Sequence, residues 1–166
     1  MADYNIRPAT TEDVSALAML KGDYVRCLYK GYLPVETLKK TEGDYYLEQM
    51  TGLVEGTEYS IDVFERMGRV IGCIAYGLDP SAEGAGMISE VACGDACSPM
   101  DKRRLVEHCL QAMRNRGLAQ AHLWILRDNF RMRFLFESMG FRADGMRRNV
   151  VMDDQEVMIT RYYYPL

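Results

Sequence analysis

Three stretches of this 166-residue chain hold residues whose types and spacing suit chemistry. The first, Cys97-Ser98-Pro99-Met100-Asp101-Lys102, reads as the start of a helix. Ser98 is placed to cap it, Pro99 suits the first helical position because its missing N–H would go unpaired anyway, and Asp101 stands third. Such a start offers unpaired N–H donors and the positive end of a dipole, so anions bind there. Against that, Ser98 and Asp101 can satisfy the donors themselves, and a carboxylate at this place repels a diphosphate. In the second stretch, Met87–Cys93, Glu90 stands on a strand and faces away from Val91. The third runs from Asn129 to Gly140-Phe141.

The remaining reactive residues point to structural work. Cys27, Cys73, Cys93, Cys97 and Cys109 make an odd count scattered through apolar patterns, as reduced core cysteines do, and not a disulfide framework. Cys93 and Cys97 are four apart, but no second Cys/His pair accompanies them, so no metal site is expected. No His/Asp pattern sets up either thiol as a nucleophile. His108 falls on a helix and His122 opens an apolar strand; ordinary structural roles suit both.

The elements that must position these residues follow from periodicity. Leu105, Val106, Cys109, Leu110 and Met113 form one helical stripe opposite Lys102, Arg103, Glu107, Gln111, Arg114 and Arg116. Gly117 follows as the natural left-handed stop. Ala121–Leu126 is short and apolar, a buried strand. Asp128 or Asn129 starts a further helix that Gly140 ends. Upstream, Asp3–Pro8 reads as a strand. Thr10–Asp13 is a capping-box-like start for a helix with Val14, Leu17, Ala18, Val25 and Leu28 on one face. A second helical pattern runs through Val35, Leu38, Tyr46, Met50 and Leu53, weakened by Gly43. Tyr59–Glu65 and Arg69–Tyr76 read as a hairpin turning at Met67-Gly68, and Asp79–Gly86 as a loop. Phe141–Met152 and Glu156–Tyr164 read as two more strands. The order is β-α-α-β-β-β-α-β-α-β-β, one mixed α/β domain over residues 1–166.

Composition narrows the setting. Apolar residues at 48% and charged residues at 27% are ordinary for a globular protein. No apolar run approaches the roughly 20 residues of a membrane helix, and no basic-then-apolar leader opens the chain, so a cytoplasmic protein with no membrane partner is expected. Charge is divided unevenly. From Lys102 to Arg148 eleven basic residues stand against four acidic ones, about +7, which leaves about −11 elsewhere for a net −4. A basic half favours an anionic cofactor. With a pI near 5.3 and no nucleic-acid motif, nucleic acid is the weaker partner.

The segment Asn129-Phe-Arg-Met-Arg-Phe-Leu-Phe136-Glu-Ser-Met-Gly140-Phe141 resembles the N-x-x-A-x-x-L/F-Y-E-K-x-G-F segment of the GNAT superfamily of acyl-CoA-dependent N-acyltransferases. The element order resembles that family over nearly the whole chain. The resemblance implies a mixed, mostly antiparallel sheet of about seven strands flanked by about four helices. It also implies acyl transfer from acetyl-CoA, or another acyl-CoA, to an amine. The pantetheine would pair with the fourth strand at Val91, Ala92 and Cys93. The diphosphate would rest on the helix start, with Ser98, Met100, Lys102 and Arg103; Asn129 and Phe136 would complete the cofactor site, Phe136 being by default a core or thioester-packing aromatic. Glu90 is either the base that deprotonates the amine or a surface carboxylate. Tyr29, Tyr32 and Asp153 would meet the acceptor, a small molecule or peptide, from a tyrosine cluster that also holds Tyr24, Tyr45 and Tyr46. The chain departs from the family pattern twice. Cys97, Met100 and Lys102 stand where the Q/R-x-x-G-x-G/A loop has its fixed residues, and Phe136 replaces the tyrosine that protonates the leaving thiolate. A GNAT-like domain that binds without catalysing is the alternative, and the long apolar last strand leaves room for a homodimer.

Overall fold

The computed structural model describes residues 3–152 and 154–166. Its strands are β1 (Tyr4–Pro8), β2 (Tyr59–Arg66), β3 (Arg69–Leu78), β4 (Ala85–Cys93), β5 (Gln120–Leu126), β6 (Arg142–Met152) and β7 (Gln155–Pro165). They form one sheet in the order β1-β2-β3-β4-β5-β7-β6. Every neighbouring pair is antiparallel except β4 and β5. Two parallel neighbours need a crossover, and α4 (Pro99–Asn115) supplies it.

Helices cover both faces because each strand buries residues alternately to either side. On one face, Leu17 and Ala18 of α1 (Val14–Tyr29) and Met50 of α3 (Leu47–Glu55) pack on Val63, Cys73 and Ala92. On the other, the stripe Leu105, Val106, Cys109 and Met113 of α4 meets Ile74, Ile88, Leu123 and Ile125, with Phe136 of α5 (Phe130–Ser138). Gly117 sits past the end of α4 at φ +76°, the left-handed stop expected of it. Gly140 has φ +100°, and a Cβ there would come within 3.2 Å of the Tyr164 ring, so the turn into Phe141 needs glycine twice over.

The structure divides one expected helix and seats the long last strand inside the sheet. The second helical pattern forms two short helices, α2 (Val35–Lys39) and α3, separated by a turn in which Gly43 has φ +63°. There are therefore five α-helices among the described residues, besides a single 3-10 turn at Thr11–Asp13. The last strand is not an edge: β7 pairs with β5 on one side and β6 on the other. The free edge beside it is β6, whose residues from Arg142 to Asn149 are all exposed. No helix among the described residues is long and apolar enough to cross a membrane.

Candidate active site

β4 and β5 are paired only from Ala85 with Gln120 to Ile88 with Leu123. Beyond that point each strand keeps its other neighbour: β4 runs on beside β3 to Cys93, and β5 beside β7 to Leu126. The strands therefore splay, and the edge of β4 from Ser89 onward is left without a strand partner toward β5 among the described residues. The cause is local. Opposite Ala75 and Tyr76 of β3 stand Glu90 and Ile88, so Ser89 is an extra residue, a bulge that bends the strand. The bulge also reverses the alternation. Ile88 and Val91 both pack toward α4, while Glu90 and Ala92 turn toward α1.

A cleft of about 420 Å³ opens into the splay. Ile88–Val91 and Leu123–Leu126 form its two flanks, Lys21, Tyr24 and Tyr29 of α1 its roof, and Asn129 and Met132 its α5 end. At its wall Glu90 Oε2 lies 2.6 Å from Lys21 Nζ, the two side chains being 16% and 12% exposed. The Lys21 ammonium also stands 5.1 Å from the centre of the Tyr46 ring, a cation–π contact. Asn129 caps α5, its side-chain oxygen accepting from the Met132 N–H at 3.1 Å, and its amide points to the Tyr24 hydroxyl at 3.5 Å. Burial pushes the Tyr24, Tyr29 and Tyr46 phenols above their usual range, so all three keep their protons.

The start of α4 is built differently. Ser98 Oγ accepts from the Asp101 N–H at 3.1 Å, and Asp101 Oδ2 accepts from the Ser98 N–H at 3.0 Å, a reciprocal capping box. Cys97 and Lys102 spend their N–H groups on Gly94 and Ser98 carbonyls, and Pro99 has none. Only the Met100 N–H of this turn lacks a bond among the described residues. Asp101 is 1% exposed and is held by Arg66 at 2.8 Å and Arg104 at 3.5 Å. Burial alone would raise its carboxyl, but Ser98, Arg66 and Arg104 outweigh that and hold it below the usual range. The charge therefore stays, buried within the first turn of α4.

Among the residues singled out in the sequence, the structure brings Glu90, Val91, Asn129 and Tyr29 together on the cleft. Ala92 is buried beneath α1, and Cys93 lies at the strand end beside Cys97. Met100 is 54% exposed, and Lys102 and Arg103 are half-buried on the first turn of α4. Phe136 is a correction: it is fully buried, edge-on to Phe141, and offers no surface to a cofactor. Tyr32 is exposed and lies outside the cleft lining. Asp153 lies outside the described residues. Lys21 went unread, although the sequence carries a signal for it. It falls at the spacing of Leu17, Ala18, Val25 and Leu28, a charge set into the apolar stripe of α1. A second hollow of about 390 Å³, lined by Arg127, Arg133, Arg147 and Tyr162, lies where β7 faces α5 and holds no carboxylate.

The two histidines have structural partners. His108 Nε2 is 3.0 Å from Asp62, which also accepts from the Tyr76 hydroxyl at 2.8 Å. His122 Nδ1 is 2.6 Å from Asp79, both side chains almost fully buried, and Asp79 also accepts from the Ser81 N–H and hydroxyl.

This architecture recurs among solved structures. The PaiA N-acetyltransferase of Thermoplasma acidophilum, solved with coenzyme A, superposes with a TM-score of 0.74 at 13% identity, covering 98% of this chain and 99% of that one. The ribosomal-protein-alanine N-acetyltransferase of Brucella melitensis gives 0.71 at 20% identity, covering 98% and 99%. A GNAT-family acetyltransferase of Streptococcus pneumoniae gives 0.69 at 12% identity, covering 98% and 99%. The fold is that of the GNAT acetyltransferases. No protein-family model matches the chain, and no curated protein matches it in sequence. The GNAT fold is thus carried by a sequence far from these relatives, and within it the two departures, at the α4 start and at Phe136, acquire a definite geometry.

Proposed function

We propose that this chain is an acyl-CoA-dependent N-acyltransferase that moves an acetyl group to the amine of a small molecule or peptide. One observation carries the reading: β4 and β5 part beside the half-buried carboxylate of Glu90, leaving a strand edge free at the place where an acyl-thioester arm would lie. The free edge at Val91 offers backbone donors and acceptors to the arm's amides, as any unpaired strand edge does. Asn129 closes the far end of that cleft. Lys102 and Arg103, on the first turn of α4, would hold the diphosphate by side-chain charge, because every backbone donor of that turn except the Met100 N–H is taken.

The first step then falls to a residue on the cleft. Glu90 takes a proton from the ammonium of the acceptor, which general acid–base catalysis places within hydrogen-bond reach. The neutral amine attacks the thioester carbonyl. The departing thiolate, a good leaving group, takes its proton from water, because burial holds the Tyr24 phenol above its usual range and makes it a poor donor. Tyr29 and Tyr46 wall the acceptor side, where aromatic faces favour a cation.

Isothermal titration with coenzyme A and with acetyl-CoA tests the reading. Saturable binding supports it; no heat and no thermal shift at millimolar ligand would overturn it. A second reading, a GNAT-fold module that binds a partner without catalysing, is favoured by one observation, the self-capped and acid-bearing start of α4. Coenzyme A retained on the natively purified protein, seen by mass spectrometry, decides against that reading.

A further inference from the structure

We infer that Lys21 is itself an acyl acceptor: the cleft acetylates its own α1 lysine before, or in the absence of, any outside amine. The inference rests on the transferase reading above and adds a site of modification to it. Glu90 already holds a primary amine. Lys21 Nζ lies 2.6 Å from Glu90 Oε2, a distance at which a proton passes from donor to base. Neither side chain is free to leave for solvent, at 12% and 16% exposure, and the Tyr46 ring backs the ammonium at 5.1 Å. The next residue after Glu90 is Val91, whose backbone belongs to the unpaired edge of β4. A thioester arm lying along that edge meets the Lys21 amine first. Holding two reacting groups in one place replaces a bimolecular encounter with a local one, the largest single saving open to such a reaction.

The step balances without any oxidant or reductant. Glu90 accepts one proton from the Lys21 ammonium. The freed lone pair on Nζ forms a C–N bond to the thioester carbonyl carbon, and the C–S bond breaks. The second Nζ proton passes to water as the amide forms, and the departing thiolate takes up a proton from water. The product is an uncharged acetyl-lysine, and Glu90 is left without its ion-pair partner.

The test follows the full-length chain with acetyl-CoA by intact mass and peptide mapping, with coenzyme A binding measured in parallel by calorimetry. The expected result is one acetyl group on Lys21, appearing at least about tenfold faster than on Lys39, a 61% exposed lysine of α2 that samples unassisted chemical acetylation. This comparison needs no variant. Lys21→Arg is expected to lose the label. Glu90→Gln is expected to slow it at least about tenfold while still binding coenzyme A. Binding with no label on Lys21, or with labelling no faster than at Lys39, overturns the self-acetylation and leaves the transferase reading standing. Labelling at an unchanged rate in a folded Glu90→Gln also overturns it. Absence of coenzyme A binding overturns the transferase reading itself, and this inference with it.

Discussion

The same two strands behave oppositely at their two ends. Where β4 and β5 are zipped, from Ala85 to Ile88, the nearby ionisable pair is Asp79 with His122, sealed at 1% and 3% side-chain exposure and bound also by Ser81. Where they part, the pair is Lys21 with Glu90, several times more open and facing a cleft. Each pair bonds at 2.6 Å. A short ion-pair contact therefore says little about role; what separates the two is whether space for a ligand adjoins it. The closed pair fixes the seam, and the open one adjoins space that a ligand could fill.

Four experiments would break or sharpen that contrast. The largest effect belongs to the open end. Glu90→Gln should lower acetyl transfer about 10²–10⁴-fold with coenzyme A affinity unchanged, read from initial rates against calorimetry. At the closed end, Asp79→Ala should cost about 3 kcal/mol by stranding buried polar groups, seen as a lower urea midpoint, with coenzyme A affinity untouched. Loss of affinity there would mean that the seam and the cleft are not separable.

Acid gives a more graded separation. Partners hold the Asp79 carboxyl below its ordinary value despite burial, and Arg7 does the same for Asp13. A depressed folded value means stability that is fully present above the unfolded carboxyl range and lost as pH falls through the folded values. Thermal melts should hold steady through neutral pH and fall only below the usual carboxylate range, with Asp79→Ala showing a shallower acid decline than the unaltered chain. The smallest effect is at α4. Asp101→Asn removes the charge while keeping the cap in outline, and should tighten coenzyme A by up to about fivefold, about 1 kcal/mol, as expected for one charge at a helix end. Unchanged affinity would show that this turn does not govern access.

Much of the architecture was legible because it is written in local spacing. The α4 stripe, the Ser98 cap, the Gly117 stop and the Asn129-to-Phe141 segment are all signals within one element, and all of these elements formed. The site was legible only in part, because its decisive features are not local. Lys21 and Glu90 are 69 residues apart, and nothing in either neighbourhood announces the other. Ser89 looks like any strand residue; only its register against β3 makes it an extra one. Phe136 sits in a segment that suggests a ligand, yet it is the residue whose helical position turns it inward onto Phe141. The middle of the α2–α3 pattern broke because apolar periodicity does not register a turn held by backbone bonds.

The bulge at Ser89 carries a consequence for how variants of this strand are read. Because Ser89 is the residue with no partner on β3, only a strand that kept it in regular register would reassign the side chains after it, sending Glu90 under α4 and Val91 toward Lys21. A substitution that keeps the count but favours the regular register would expose this dependence. A single-codon deletion of Ser89 would not, since it takes out the bulge and the extra residue together and leaves the carboxylate addressed to the same side of the molecule.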